Sequence, residues 1–181
     1  MLEQSLQQAR SLFIRRWGEM ASGWGISRTM AEIHAALFIT SQPLCTDDLM
    51  ERLQASRGNI SMNLRQLLNW GLIHRVHHQG DRKEYFVAEA DIWQMFEIIT
   101  RERRRREVEP IVETIERCRA MLAESKSGGG EALRSELTTC DRRLADMQSF
   151  FTTMNGLFNV MLKVGAGGVG EIVRRLRGDG K

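Results

Sequence analysis

The sequence predicts a mainly α-helical protein that carries one small β-hairpin. Its 181 residues contain only 2 Pro and 1 Tyr, and aromatic residues make up 7% of the chain. Strand-rich proteins favour aromatic and β-branched residues, so this composition argues against a β-sandwich. Apolar residues recur at helical spacing over most of the length, whereas residues 72–88 alternate. The helical patterns lie on both sides of that alternating stretch.

The composition also limits the class of protein. The chain has 26 Lys or Arg against 23 Asp or Glu, a formal charge of +3, so charge is informative only through its placement. Disordered, collagen-like and disulfide-rich classes are excluded. Cys45, Cys118 and Cys140 form no Cys-x-x-Cys pair, and we expect free thiols. Because neither a secretory signal nor an apolar run of about 18 residues is visible, we expect a cytoplasmic protein.

Residues 1–22 are predicted to form an N-terminal dimerisation helix. Apolar residues follow one helical stripe, and Gly23 and Gly25 end it. The stripe consists of Leu2, Leu6, Ala9, Phe13, Trp17 and Met20.

Residues 27–90 are predicted to form a compact unit of three helices and a β-hairpin. Each helix begins at a capping residue, which is Ser27 or Thr29 for the first, Thr46 for the second and Ser56 for the third. Gly71 ends the third helix. Two strands, residues 72–78 and 83–88, then flank a turn. Three helices followed by a hairpin is the order of a winged helix-turn-helix domain.

Residues 91–163 are predicted to form a helical hairpin for dimerisation. From Leu133 to Met161 apolar residues are spaced alternately four and three apart, which is typical of a coiled-coil seam. A matching seam precedes the glycine turn at residues 127–130, and a glycine-rich joint and basic tail follow at residues 164–181. Such stripes need a partner, and we expect a second copy of the chain; packing within the chain is the alternative. The predicted dimer contacts are Leu6, Phe13, Ile111, Ile115, Leu137, Leu144, Phe151 and Phe158.

The third helix of the compact unit has the composition of a DNA-recognition helix. With Ile60, Leu64 and Leu67 inward, the opposite face holds no Asp or Glu. Asn and Gln side chains pair with adenine, Arg pairs with guanine, and an apolar group contacts a thymine methyl. Two basic residues at the hairpin tip are placed to reach phosphates or a minor groove. The predicted DNA-binding residues are Ser56, Arg57, Gly58, Asn59, Met62, Asn63, Arg65, Gln66, Arg82 and Lys83.

The compact unit resembles the MarR-like winged helix-turn-helix regulators, and in particular their GbsR-like branch, which is associated with glycine betaine synthesis genes. The resemblance is carried by residues 46–53, 56–61, 70–73 and 80–83. It implies a dimeric bacterial transcription factor whose terminal helices form the dimer interface. It further implies a recognition helix at residues 56–69 and a wing tip at residues 79–83. MarR relatives often have Asp-x-Arg in the wing, where this chain has Asp81-Arg82-Lys83, so which cation enters a minor groove stays open.

Other motifs indicate no metal, cofactor or catalytic site. His74 and His77 point to opposite sides of a strand, so they cannot converge on one metal ion. The glycines at residues 165–170 lack the strand that a nucleotide-binding loop requires. Residues 101–106 contain five arginines, which we interpret as a salt-bridged helix, with contact to DNA phosphates or a partner subunit as the alternative. Since no nucleophile–base set appears, we expect no enzyme.

The hypothesis from sequence is a homodimeric, sequence-specific DNA-binding regulator. A repressor is favoured over an activator, with relief by a small-molecule effector of unknown identity. Double-stranded DNA is then the partner, and no membrane contact is expected. The alternative is a winged-helix protein-interaction module without specific DNA binding.

Overall fold

The computed structural model describes residues 1–40, 42–77, 79–124 and 130–164. The chain folds as two compact units, Met1–Ile98 and Ile99–Lys181. The first unit therefore extends past residue 90, where the compact domain was predicted to end. The predicted joint and basic tail lie outside the described residues except for Val164, and the predicted glycine turn lies outside them except for Gly130.

The first unit has the predicted order of helices and strands, with one additional strand. This confirms the prediction of a winged helix-turn-helix domain accompanied by long helices. The elements are α1 (Leu2–Gly23), α2 (Arg28–Ile39), β1 (Leu44–Cys45), α3 (Thr46–Leu53), α4 (Arg57–Trp70), β2 (Ile73–Val76), β3 (Tyr85–Ala88) and α5 (Ile92–Arg103), which runs on into the second unit.

The additional strand makes the sheet three-stranded and antiparallel, in the order β1-β3-β2. In β1, Leu44 lies opposite Phe86 and Cys45 lies opposite Tyr85. Two residues are too few to show an alternating pattern, and for that reason the sequence did not predict β1. Among the residues of the hairpin that the structure describes, which leave out residue 78, the paired strands are residues 73–76 and 85–88, so they are shorter than the predicted 72–78 and 83–88.

The ends of the helices agree with three of the predicted capping residues. Ser27 caps α2, where its hydroxyl accepts a hydrogen bond from the Met30 amide at 3.3 Å. Ser56 caps α4 in the same way, and Gly71 ends α4 with a left-handed φ of 80°. The prediction that Thr46 caps α3 is wrong, because Cys45 is the N-cap and Thr46 is the first helical residue.

The core of the first unit lies between the three helices of the compact domain and the sheet. Ile33, Leu49, Ile60, Leu67 and Ile73 are each at most 1% exposed. They come from four different elements, α2, α3, α4 and β2. Complete burial of such a side chain stabilises a fold by about 1.5–3 kcal/mol. This core fixes the orientation of α4 relative to the sheet.

Aromatic rings join α1 to α2. Phe13 and Trp17 of α1 contact Phe38 and His34 of α2, with ring centroids 6.4 and 6.3 Å apart. Phe13 is half-buried there, and its role as a dimer contact stays a prediction. His34 is 3% exposed, and its Nε2 atom has no hydrogen-bond partner. Burial lowers the pKa of His34 to about 4.

The second unit contains a helical hairpin preceded by a short π-helical segment. The segment covers Arg104–Val108, α6 covers Glu109–Glu124 and α7 covers Glu131–Val164. The helical stretch predicted from residue 91 therefore continues to Glu124, with a local change of register in this segment. Pro110 is the second residue of α6 and has no N–H to donate to the preceding turn, and the change of helical register lies immediately before it.

The two long helices of the second unit run antiparallel, as predicted. Arg119 of α6 donates hydrogen bonds to Asp141 at 2.9 Å and to Gln148 at 2.7 Å, both on α7. Earlier in the chain, Arg104 donates to Asn155 at 2.6 Å. The prediction of Ile115 as a dimer contact is wrong, because Ile115 is 2% exposed and buried inside its own chain.

Within the described ranges of the chain, none of the helices combines the length and the apolar character that crossing a membrane requires.

Candidate nucleic-acid interface

Helix α4 presents one face to the core and the opposite face to solvent. Ile60, Leu64 and Leu67 are buried, whereas Met62 is 62% exposed. The other exposed side chains of the predicted DNA-binding face include Arg57 and Arg65, and Gln66 is half-buried. The exposed surface of α4 therefore offers guanidinium, amide and thioether groups and no carboxylate.

The prediction of Asn63 as a DNA-binding residue is wrong. Asn63 is 1% exposed, and its Nδ2 atom donates to the backbone oxygen and to the Oδ1 atom of Asn59, each at 2.8 Å. Its Oδ1 atom accepts a hydrogen bond from the Ser27 hydroxyl at 3.2 Å. Asn63 thus holds α4 against the N-terminal end of α2. The spacing contained this signal, because residues 60, 63, 64 and 67 share one helical face.

Asn59 shares this network and is less available than its polarity suggests. Its side-chain amide donates to the Thr29 hydroxyl at 3.5 Å, and the residue is half-buried. Its own carbonyl groups accept the two bonds from Asn63. A base contact by Asn59 would compete with these bonds, so Arg65 and Gln66 are better placed for that role.

The wing turn is held by one carboxylate. Asp81 accepts hydrogen bonds from the Lys83 amide at 2.9 Å and from the Tyr85 hydroxyl at 2.7 Å. The bond to Asp81 raises the pKa of Tyr85 to about 12. Gly80 has a φ of 88°, a left-handed conformation that suits glycine. Asp81 is used inside the turn, and Arg82 and Lys83 beside it are exposed cations at the tip of the wing.

Three elements meet at a single carboxylate, that of Asp47 on α3. Arg57, in the first turn of α4, forms a hydrogen-bonded ion pair with Asp47. The Lys83 ammonium on the wing lies 3.5 Å from the other oxygen of Asp47. The hydrogen bond from Arg57, with a smaller contribution from Lys83, lowers the pKa of Asp47. Two predicted DNA-binding cations are thereby brought together, which the sequence alone did not reveal.

The histidine-containing wing strand and the arginine run at residues 101–106 form ion pairs with nearby glutamates. His74 lies 3.5 Å from Glu89, and Arg75 lies 3.4 Å from Glu84. In the arginine run, Arg103 contacts Glu107 at 3.1 Å and Arg105 contacts Glu102 at 2.8 Å. These pairs agree with the interpretation of this run as a salt-bridged helix.

Comparison with known proteins finds bacterial regulators that are similar to parts of this chain. Residues 28–75 match a family model described as bacterial regulatory protein, arsR family. The chain is 29% identical over 118 residues to the HTH-type transcriptional repressor GbsR of Bacillus subtilis (strain 168), and the match covers 65% of each chain. Over that stretch the chain is similar to this repressor. The GbsR-like resemblance seen in the sequence is therefore confirmed.

Two further comparisons concern a second regulator and one solved structure. The putative HTH-type transcriptional regulator YvaV of the same strain is 25% identical over 91 residues, covering 50% of this chain and 51% of YvaV. The match thus spans less than two thirds of GbsR and about half of YvaV. A solved structure described as the crystal structure of a transcriptional regulator has a TM-score of 0.46 at 20% identity, covering 83% of this chain and 98% of that one.

The predicted dimer contacts are partly exposed. Leu6 of α1 is 49% exposed, Ile111 of α6 is 40% exposed and Phe158 of α7 is 37% exposed. Leu137, Leu144 and Phe151 are half-buried. Further apolar side chains of α7 are exposed as well, and these are Leu133, Met147, Phe150, Leu157, Val160, Met161 and Val164.

Proposed function

We propose that this chain is a homodimeric transcriptional repressor that binds double-stranded DNA at specific sequences. The observation that carries the proposal is the carboxylate-free exposed face of α4, with Arg65 and Gln66, beside the cations of the wing. Arg and Gln side chains distinguish bases by paired hydrogen bonds in the major groove. The match of residues 28–75 to a family of bacterial regulators supports the same function.

The homodimer is supported by the exposed apolar surface of α7. A monomeric protein rarely leaves a long row of Leu, Met and Phe side chains in water. A second copy that covers the row would bring two α4 helices to one duplex, and a spacing of about 34 Å fits successive major grooves. Repression then needs only occupation of a promoter, and the printed name of GbsR as a repressor supports that direction.

A small-molecule effector is the last part of the proposal. A ligand that binds better to one spacing of the two reading helices would shift the dimer toward that spacing and change its affinity for DNA.

The test is fluorescence anisotropy with duplexes from the chain's own upstream region, alongside a duplex of scrambled sequence. We expect specific binding by the wild type, and Arg65→Ala should weaken binding to the operator by about 1–3 kcal/mol if Arg65 contacts a base. Arg82→Ala should weaken binding to all sequences and reduce its dependence on salt. Equal affinity for the operator and the scrambled duplex would instead favour the protein-interaction module.

The dimer has an independent test. Light scattering should give a mass near twice the 20.8 kDa of one chain. Phe158→Asp places a charge in the exposed row of α7 and should shift the protein toward monomers. Thr152→Asp, at an exposed polar position on another face of the same helix, should not. A monomeric wild type at micromolar concentration would contradict the proposal.

A further inference from the structure

We propose that Asp47 is an internal competitor for DNA phosphate, and that it lowers the affinity of the reading surface for DNA of any sequence. This inference rests on the proposed function, since it concerns the same surface. Its consequence is specificity. Contacts to bases then have to supply the affinity that is lost at the phosphates. DNA sites without the correct bases cannot supply it and are left unoccupied.

The geometry identifies the competitor. Asp47 lies on α3, and its two oxygens meet Arg57 of α4 and Lys83 of the wing. These cations belong to the two parts of a winged domain that approach DNA, the start of the recognition helix and the wing tip. A carboxylate that joins them occupies the position where a phosphate oxygen would be favoured.

Both ion pairs are open to exchange with a phosphate. The side chains of Asp47, Arg57 and Lys83 are 48%, 64% and 55% exposed. Ion pairs with this exposure contribute little to stability, because water and salt screen them. Replacing the carboxylate by a phosphate therefore requires no change in the core.

The neighbouring acidic groups do not share this role. Asp48 accepts a hydrogen bond from the Cys45 amide at 2.8 Å and so holds the start of α3. Asp81 is used inside the wing turn. Glu51 is exposed and lies one helical turn beyond Asp47 on α3. It has the same charge outside the contact, which makes it a matched control.

Removal of the competitor has a defined effect on binding. Contacts to phosphate supply essentially all of the affinity for DNA without a specific site, and each contact adds about 0.9 to the steepness of log K against log salt. Asp47→Asn preserves the shape of the side chain while removing its charge. Without the carboxylate, Arg57 and Lys83 are available to bind DNA phosphate.

The experiment measures affinity for a scrambled duplex at several salt concentrations, with full-length wild type, Asp47→Asn and Glu51→Gln. We expect Asp47→Asn to bind the scrambled duplex about three to ten times more tightly near 0.1 M salt, with a slope steeper by up to about 1. Glu51→Gln should change affinity much less. In a background of Arg57→Gln with Lys83→Gln, the gain from Asp47→Asn should fall to the level of the control.

The other possible results would contradict either the inference about Asp47 or the proposed function. Wild-type or weaker affinity of Asp47→Asn, with an unfolding curve like that of the wild type, overturns the inference while leaving specific DNA binding intact. An equal gain from Glu51→Gln overturns it in favour of a general charge effect. If Asp47→Asn does not fold, Asp47→Ser repeats the measurement with another residue that suits the first turn of a helix. Failure of the wild type to bind any duplex overturns the proposed function and the inference together.

Discussion

Replacement of Asn63 by alanine should reduce the free energy of unfolding of the first unit by about 2–4 kcal/mol. The magnitude follows from its three hydrogen bonds, two donated to Asn59 at 2.8 Å and one accepted from Ser27 at 3.2 Å. Each contributes about 0.5–1.5 kcal/mol, and the groups left without a partner in a buried site add to the loss. The small cavity left by the amide adds further.

Urea unfolding followed by circular dichroism measures this loss. Asn69→Ala is the matched control, because Asn69 is an exposed asparagine on the same helix and its replacement should cost less than about 0.5 kcal/mol. A structural Asn63 predicts a less stable protein whose folded fraction binds DNA normally. A stable Asn63→Ala variant with reduced binding to the operator would refute this reasoning and restore Asn63 as a residue that reads bases.

Two further predictions concern the contact between α1 and α2. The pKa of His34 is lowered to about 4 by burial, so the unfolded state, with its ordinary pKa near 6.5, takes up the proton first as the pH falls. Stability should decrease from about pH 6.5 downward and level off near pH 4, by up to about 3 kcal/mol, and urea unfolding of His34→Leu should show a flatter dependence on pH. Gly18→Val should destabilise the protein by about 1–3 kcal/mol, because a Cβ atom at Gly18 would lie 2.6 Å from Cγ of Glu32. Thermal unfolding measures this loss. Gly23→Val is the control, because no atom lies within 4 Å of a Cβ atom built at Gly23.

The sequence predicted those parts of the fold that repeat a pattern or carry a distinctive cap. The long apolar stripe of α7 and the serine and glycine at the ends of α4 are examples, because periodicity and capping are local properties. The sequence did not predict β1, because these two residues form a strand only by pairing with β3, which is distant in sequence. The π-helical segment also escaped, because a change from one helical register to another leaves the residue types unchanged.

The candidate site was predicted in its composition and only partly in its geometry. The exposed positions of Arg65, Arg82 and Lys83 agree with the expectation, because polar type and exposure usually coincide. Asn63 is the exception, since a buried amide is stable where neighbouring groups satisfy its hydrogen bonds. The meeting of Arg57 and Lys83 at Asp47 depends on how α3, α4 and the wing pack, and no spacing along the chain encodes it.

The short strand β1 links the movement of the wing to that of the helices in the winged helix-turn-helix domain. Cys45 is both the last residue of β1 and the N-cap of α3, while β1 is hydrogen-bonded to β3 of the wing. A displacement of the wing is therefore transmitted through two residues to the start of α3. Amide protons of β1 and β3 should exchange with solvent in one cooperative opening and not strand by strand. The wing then behaves as an extension of the helix-turn-helix, and the two should move as one body.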